Sequence, residues 1–237
     1  MKIDIAFLPK DASGINLSST VCIVLDIFRA TTSIVTSIAN GCKAMIPAVS
    51  IEDAQALAGQ RNSALFAGER QSIKIDGYDF GNSPFDFSQE KVKDQHIIIT
   101  TTNGTIAIKA ATGAYRTLIG SFLNAEAVCE QAEEYGKDIL IICAGTDGLF
   151  SLEDTLCAGL LVQLLTKKGQ GVMTDSAQGA LLMYHAVKDK LVETAVNSRN
   201  GKRLCELDRM DDILYCFQRD LLTIVPEYSN GMILRGT

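Results

Sequence analysis

One stretch constrains the fold more than any other. Residues 21–41 read Val-Cys-Ile-Val-Leu-Asp-Ile-Phe-Arg-Ala-Thr-Thr-Ser-Ile-Val-Thr-Ser-Ile-Ala-Asn-Gly. The first five are an unbroken apolar run rich in β-branched side chains, the pattern of a strand buried on both faces. From Ala30 the period changes. Ile34, Val35, Ile38 and Ala39 are helically spaced, and Gly41 follows Asn40 as a stop. Asp26 and Arg29 fall in the turn between strand and helix, with Thr31, Thr32 and Ser33 just beyond. Ligands of open α/β sheets bind outside the carboxyl ends of strands, and a helix N-terminus there offers free N–H groups to an anion. The same residues read equally well as a helix cap and its first turn.

Strand and helix patterns alternate through the first two thirds of the chain. Strands are expected at 3–8, 44–49, 64–67, 96–99, 116–119 and 139–143, and a last one near 232–234. Helices are expected from Ser50, where Asp53 three residues on suggests a cap, then after the turn ending at Thr105 to about 111, at 124–135, at 151–168 and at 176–188, with short ones around Val192 and Ile213. Residues 71–89 are irregular, and so long an irregular segment inside a domain is more often functional than idle. Such alternation predicts βαβ units. The expected fold is a single domain over 1–237: a three-layer α/β/α sandwich on a largely parallel or mixed sheet, more helical from about residue 176.

Composition narrows the function. The net charge of −6 over 237 residues argues against a general nucleic-acid surface, and no apolar run is long enough to span a bilayer. The N-terminus reads as a strand rather than a signal peptide. Seven cysteines, an odd and scattered set without a C-x-x-C pair, read as reduced thiols; Cys22, Cys143 and Cys157 sit in apolar surroundings. A cytoplasmic protein is expected. His96 and His185 are too few and too far apart for a zinc site.

The polar residues at the expected strand ends are Asp26 with Arg29, Glu69 with Arg70, Thr101 to Asn103, and Asp147 with nearby Glu153 and Asp154. Parallel, adjacent strands would bring them to one edge. Crowded carboxylates are costly without a cation, so Asp26, Glu69, Glu153 and Asp154 are expected to hold Mg²⁺, a hard ion that takes carboxylates together with phosphate oxygens and water. Arginine forks suit the phosphate. Each piece has a plainer reading. Ser151-Leu-Glu-Asp is a capping box, Glu69 and Arg70 a surface pair, Thr100 to Asn103 a turn, Asn82-Ser83-Pro84 a turn before a helix, and Asp147 a turn residue between glycines. The phosphate-binding G-x-x-x-x-G-K-[ST], the dinucleotide G-x-G-x-x-G and the G-x-S-x-G elbow do not occur.

Taken in order, Leu25-Asp-Ile-Phe-Arg-Ala-Thr-Thr-Ser, Gly68-Glu-Arg, Gly81-Asn-Ser-Pro, Thr101-Thr-Asn-Gly-Thr, Cys143-Ala-Gly and Phe150-Ser-Leu-Glu-Asp resemble the 2-phosphosulfolactate phosphatases. The match covers most of the chain. The resemblance implies a magnesium-dependent acid phosphatase that converts 2-phospho-3-sulfolactate to 3-sulfolactate and phosphate, a step of coenzyme M biosynthesis in methanogens. It implies an α/β/α fold peculiar to the family. On this basis Asp26, Arg29, Glu69 and Arg70 are candidate catalytic residues. Thr31, Thr32, Asn82, Ser83, Thr101, Thr102, Asn103, Gly104 and Gly145 are candidate substrate contacts. Gln71 and Ser72 depart from the glycines that relatives often carry there. Asp26 has two readings, phosphorus nucleophile or metal ligand with water attacking; a second Asp two residues on, usual beside an aspartate nucleophile, is replaced by Phe28. The alternatives are a non-catalytic binder of a small anionic metabolite, a phosphatase for another small carboxylated phosphoester, and a phosphotransferase. The expected partner is a small anionic molecule, with no nucleic acid or membrane, and possible self-association.

Overall fold

The computed structural model describes residues 1–59, 64–167 and 171–236. Its strands are β1 (Lys2–Ala6), β2 (Thr20–Leu25), β3 (Ala44–Pro47), β4 (Leu65–Arg70), β5 (Ile73–Lys74), β6 (His96–Thr100), β7 (Arg116–Ile119), β8 (Asp138–Cys143), β9 (Val172–Met173), β10 (Pro226–Ser229) and β11 (Met232–Arg235). Its helices are α1 (Ala30–Ala39), α2 (Ile51–Gly59), α3 (Gln89–Val92), α4 (Gly104–Ala110), α5 (Ala125–Glu134), α6 (Leu152–Thr166), α7 (Asp175–Val187), α8 (Leu191–Ala195), α9 (Arg199–Glu206) and α10 (Met210–Cys216). The strands form one mixed sheet in the order β5-β4-β6-β3-β11-β10-β7-β2-β8-β1-β9.

The alternation that predicted the sheet also sets its layers. On β2, Val21, Ile23 and Leu25 face one core with α5, α6 and α7, while Cys22 and Val24 face the other with residues of α1 and α4. Helices therefore cover both faces, as the apolar runs require. Six cysteines are buried, Cys205 is exposed, and all seven are free thiols. Helix α6 is buried almost all round, between the sheet and α7. Gly159 makes that contact possible: a Cβ there would lie 2.3 Å from the Ala180 carbonyl oxygen and 2.6 Å from Tyr184 Cβ. Gly159→Val should therefore lower unfolding stability by about 1–3 kcal/mol through overpacking, read from the denaturant midpoint. An unchanged midpoint would mean that the two helices part freely.

Several boundaries differ from expectation. Strand β4 runs on through Glu69 and Arg70 rather than closing at Gly68, because these residues pair with β5 across a two-residue turn. Asn124 stands before α5 without capping it; its amide reaches the carbonyls of Ile119 and Ile224 instead. Lys168 and Gly169, the expected end of α6, lie outside the described residues. Helix α9 has no counterpart among the expected elements.

The main correction is topological. The strand-end residues were expected to converge because their strands are adjacent and parallel. In fact two parallel blocks, β4-β6-β3 and β7-β2-β8-β1-β9, are separated by the antiparallel hairpin β10–β11. Its antiparallel pairings leave the two blocks pointing opposite ways along the sheet. The segment after β6 nonetheless reaches the end of β2: α1 packs against α4, and Gly104 at the start of α4 lies against Asp26 and Ala30.

Candidate active site

Asp26 directly follows β2 and is buried. The Thr31 hydroxyl closes the turn, accepting from the Asp26 amide at 2.9 Å and donating to the Asp26 carbonyl at 3.1 Å. One carboxylate oxygen of Asp26 accepts the Ala30 amide at 3.3 Å. The other packs on Gly104, where a Cβ would stand 2.6 Å from it and 2.5 Å from Ala30 Cβ. Only glycine lets α4 come this close to the carboxylate. Asp26 is thus both helix cap and cleft residue, so the two readings of the turn do not exclude each other. Thr32 donates to the Ile27 carbonyl, and Ser33 donates to the Asn82 carbonyl. Thr31 and Thr32 are fully buried and build the turn without lining the cleft.

From the other block, Glu69 is buried rather than a surface residue. Its carboxylate accepts the Thr102 amide at 2.8 Å and the Ser72 amide at 2.6 Å. It thereby ties the end of β4 to the turn after β6. Gln71 and Ser72, the departures from glycine, adopt left-handed φ values of 53° and 66°. Such a pair of positive φ values is what a two-residue hairpin turn demands. Arg70 turns away from the cleft and donates to the carbonyl oxygens of Glu69 and Thr100 and to the Thr100 hydroxyl.

The cleft between the blocks is lined by Asp26, Phe28, Arg29, Glu69, Ser72, Asn82, Thr102, Asn103, Asn200 and Arg203. Thr101 stands behind it and accepts the Thr105 amide at the start of α4. Ser83 caps the short turn after it and donates to Asp212 at 2.7 Å. The Gly145 amide donates to Asp154, as does that of Ile27. Asp154 therefore does not complete a capping box with Ser151; it joins the ends of β2 and β8 from behind the cleft. Glu153 is buried beside Ser151, Ser198 and Arg199.

Three residues at the cleft were not foreseen. Asn200 on α9 donates to the Phe28 carbonyl at 2.7 Å. Arg203, one turn on, lines the cleft and pairs with Asp147. Asp212 on α10 is buried and pairs with Arg29, which also donates to the Ser72 carbonyl at 3.0 Å. A serine before Arg199 was the available sign of a helix start: Ser198 does cap α9, accepting the Gly201 amide at 3.0 Å.

Burial pushes the Asp26 carboxyl up to about 7, with the negative charges of Glu69 and Glu153 adding to the effect and Arg29 opposing it. Burial raises Glu153 as well. Asp154 is raised by burial and then by Asp26 and Glu153. These acids titrate as a group. The backbone N–H bonds to Asp154 and Asp26 favour the charged forms against that rise, and the proton the group takes up is shared among Asp26, Glu153 and Asp154.

Among the described residues, no three His, Cys, Asp or Glu side chains are arranged as a metal cluster. The cleft nonetheless offers oxygen donors. Asp26 lines it, and the Asn82 side-chain oxygen is buried without a hydrogen-bond partner. This set fits an ion such as Mg²⁺, which needs one or two carboxylates and fills its shell with water and substrate oxygen. It does not resemble a cage of four carboxylates, since Glu69 and Asp154 already serve backbone amides.

A mixed α/β sheet with a polar cleft at strand ends, holding a buried carboxylate beside an arginine, defines an α/β protein with its ligand cleft where such sheets place one. Comparison makes this specific. The family model described as 2-phosphosulpholactate phosphatase matches residues 7–231. A protein of Clostridium acetobutylicum named "Probable 2-phosphosulfolactate phosphatase" is 37% identical over 236 residues, covering 99% of this chain and 100% of the relative. One of Clostridium tetani with the same name is 37% identical over 234 residues, covering 98% and 100%. The chain belongs to the 2-phosphosulfolactate phosphatase family, and so to the phosphoric monoester hydrolases. No helix among the described residues is long and apolar enough to cross a membrane.

Proposed function

We propose that the protein hydrolyses 2-phospho-3-sulfolactate to 3-sulfolactate and phosphate, with Mg²⁺ held by Asp26 and the Asn82 side-chain oxygen. The observation that carries the reading is the buried Asp26 carboxyl beside Arg29 in the cleft, in a chain of this family. When bound, the ion would supply a Lewis acid for the phosphoryl oxygens and lower the pKa of an attacking water. The chain's own residues do the rest. Arg29, fixed by Asp212, presents its guanidinium to the phosphoryl group as negative charge develops. Thr102 and Asn103 close the far wall. Asp26 must be ionised to hold a cation. With its carboxyl at about 7, the free cleft exchanges a proton for the metal near neutral pH. We place the reaction in the cytoplasm, on the support of the free buried thiols.

Water is taken as the nucleophile, because a carboxylate that holds the ion is not free to attack phosphorus and Phe28 stands where an aspartate nucleophile usually has its second Asp. The test is phosphate release from 2-phospho-3-sulfolactate with Mg²⁺ and with EDTA, with part of each reaction quenched in borohydride. That reagent reduces an aspartyl phosphate to an alcohol. The expected result is Mg²⁺-dependent release with residue 26 unmodified. Equal rates in EDTA would remove the metal from the mechanism, and a reduced residue 26 would make Asp26 the nucleophile.

A further inference from the structure

The substrate proposed above carries two acid groups besides its phosphate, and the cleft has few cations to meet them. Arg70 is turned into the β4–β6 backbone. Arg29 is 3% exposed, bound to Asp212 on one nitrogen and to the Ser72 carbonyl on the other. The remaining arginine of the lining is Arg203. It differs from Arg29 in two ways. Its side chain is 28% exposed, so it stands at the rim, and its partner Asp147 is 37% exposed. An exposed pair of this kind contributes on the order of 0–1 kcal/mol, so an incoming anion displaces it at little cost.

The position of Arg203 is nevertheless fixed. Asn200 binds the Phe28 carbonyl and meets the Ser72 hydroxyl, pinning the first turn of α9 to both walls of the cleft. Gly201 lies so close to Ala195 that a Cβ would stand 1.9 Å from its carbonyl oxygen. Arg199, one turn before Arg203 on the same face, donates to the Thr146 carbonyl at 3.2 Å. The loop carrying Asp147 is held in turn by the bond from its amide to Asn103 at 3.1 Å. A rigid helix thus holds one exchangeable guanidinium at the mouth of a cleft whose floor is Asp26 and Arg29.

In the substrate, the carboxylate is attached to the carbon that bears the phosphate, and the sulfonate is one carbon farther out. We infer that Arg203 binds the sulfonate, leaving Asp147 to do so, and is the residue by which this site selects a sulfonated ester. The inference rests on the functional reading above. A guanidinium presents a planar fork of N–H donors that suits two sulfonate oxygens as it suits two phosphate oxygens.

The test compares 2-phospho-3-sulfolactate with 2-phospholactate, which lacks the sulfonate, in wild type, Arg203→Met, Arg203→Lys and Asp147→Asn. A charge-assisted hydrogen-bond pair predicts that Arg203→Met raises KM for the sulfonated ester about tenfold or more. The expected change in kcat is under about threefold, and in KM for 2-phospholactate under about twofold, since neither uses the contact. Arg203→Lys should recover part of the loss, and Asp147→Asn should lower KM for the sulfonated ester alone by freeing the guanidinium. Equal KM changes on both esters, or none, would overturn the assignment. Calorimetric titration with 3-sulfolactate judges the subsite apart from turnover. Wild type should bind it about tenfold or more tightly than Arg203→Met. Failure of wild type to bind 3-sulfolactate, or equal binding by both, overturns the subsite. Binding without phosphate release from either ester would keep the subsite and remove the phosphatase reading.

Discussion

Asp26→Asn is expected to abolish turnover and, at the same time, to raise the melting temperature of the metal-free protein at pH 8. The first effect follows from the loss of the one cleft carboxylate that is not committed to two backbone amides. A fall of about 10²–10³-fold is the scale for removing a group that organises transition-state charge. The second follows from burial. Asp26 is held up to about 7 chiefly by desolvation, then by Glu69 and Glu153. In the unfolded chain the same carboxyl titrates at about 3.9. Between those values the folded protein holds a proton that the unfolded chain has released. Stability contributed by this group is therefore complete below about 4, declines as pH rises toward 7, and is lost above it.

Asparagine keeps the shape and can still accept the Ala30 amide, but it carries no charge. The substitution should add up to a few kcal/mol at pH 8, of the order of 5–10 °C in melting temperature for a chain of this size, and nothing near pH 4. It should also flatten the decline in wild-type stability between those limits. Differential scanning fluorimetry in EDTA across that range reads both. Adding Mg²⁺ at pH 8 should stabilise wild type by preferential binding to the folded state and leave Asp26→Asn almost unmoved. A melting temperature that drops on substitution would mean that the cap to Ala30 outweighs the buried charge.

The local chemistry of this turn was legible because strand, acid and helix follow one another within a single stretch, where the period of apolar residues changes at a definite place. Glu69 and Asn82 were legible as members of short motifs, but not what they do. Nothing in Gly68-Glu-Arg says that the glutamate turns inward to hold two amides while the arginine turns to Thr100. Helix α9 was missed because Asn200 and Gly201 are poor helix formers in the middle of its first turns. Tertiary contacts at Phe28 and Ala195 override that weakness. Of the hairpin β10–β11 only the last strand was expected, and pairing on both sides makes the hairpin the centre of the sheet. The convergence of the site across antiparallel blocks depends on that insertion, which no local pattern encodes.

The clearest case of a residue that sequence could not single out is Asp212, and it carries the other large expectation. Asp211 and Asp212 are adjacent acids in the first turn of α10, a common helix-start signal; Asp211 is exposed and Asp212 is 2% exposed. Asp212 neutralises the buried Arg29 guanidinium with one oxygen and accepts the Ser83 hydroxyl with the other. Asp212→Ala would leave a buried guanidinium with the Ser72 carbonyl as its named partner. Removing one member of a buried pair costs about 3–5 kcal/mol, because the survivor's charge is left without compensation. The expected result is a loss of that size in chemical denaturation, together with a collapse of kcat as Arg29 leaves its position. A second variant separates the two effects. Arg29→Met with Asp212→Leu replaces the pair by apolar side chains of similar volume, which buried pairs often tolerate without loss of stability. It should regain most of the stability of wild type and none of its activity. If Asp212→Ala costs less than about 1 kcal/mol, the value of an exposed pair, then water reaches Arg29 and the pair is not the lock described here. If the double substitution restores turnover as well as stability, Arg29 does not act on the substrate, and the cation that meets the phosphoryl group must be sought elsewhere in the cleft.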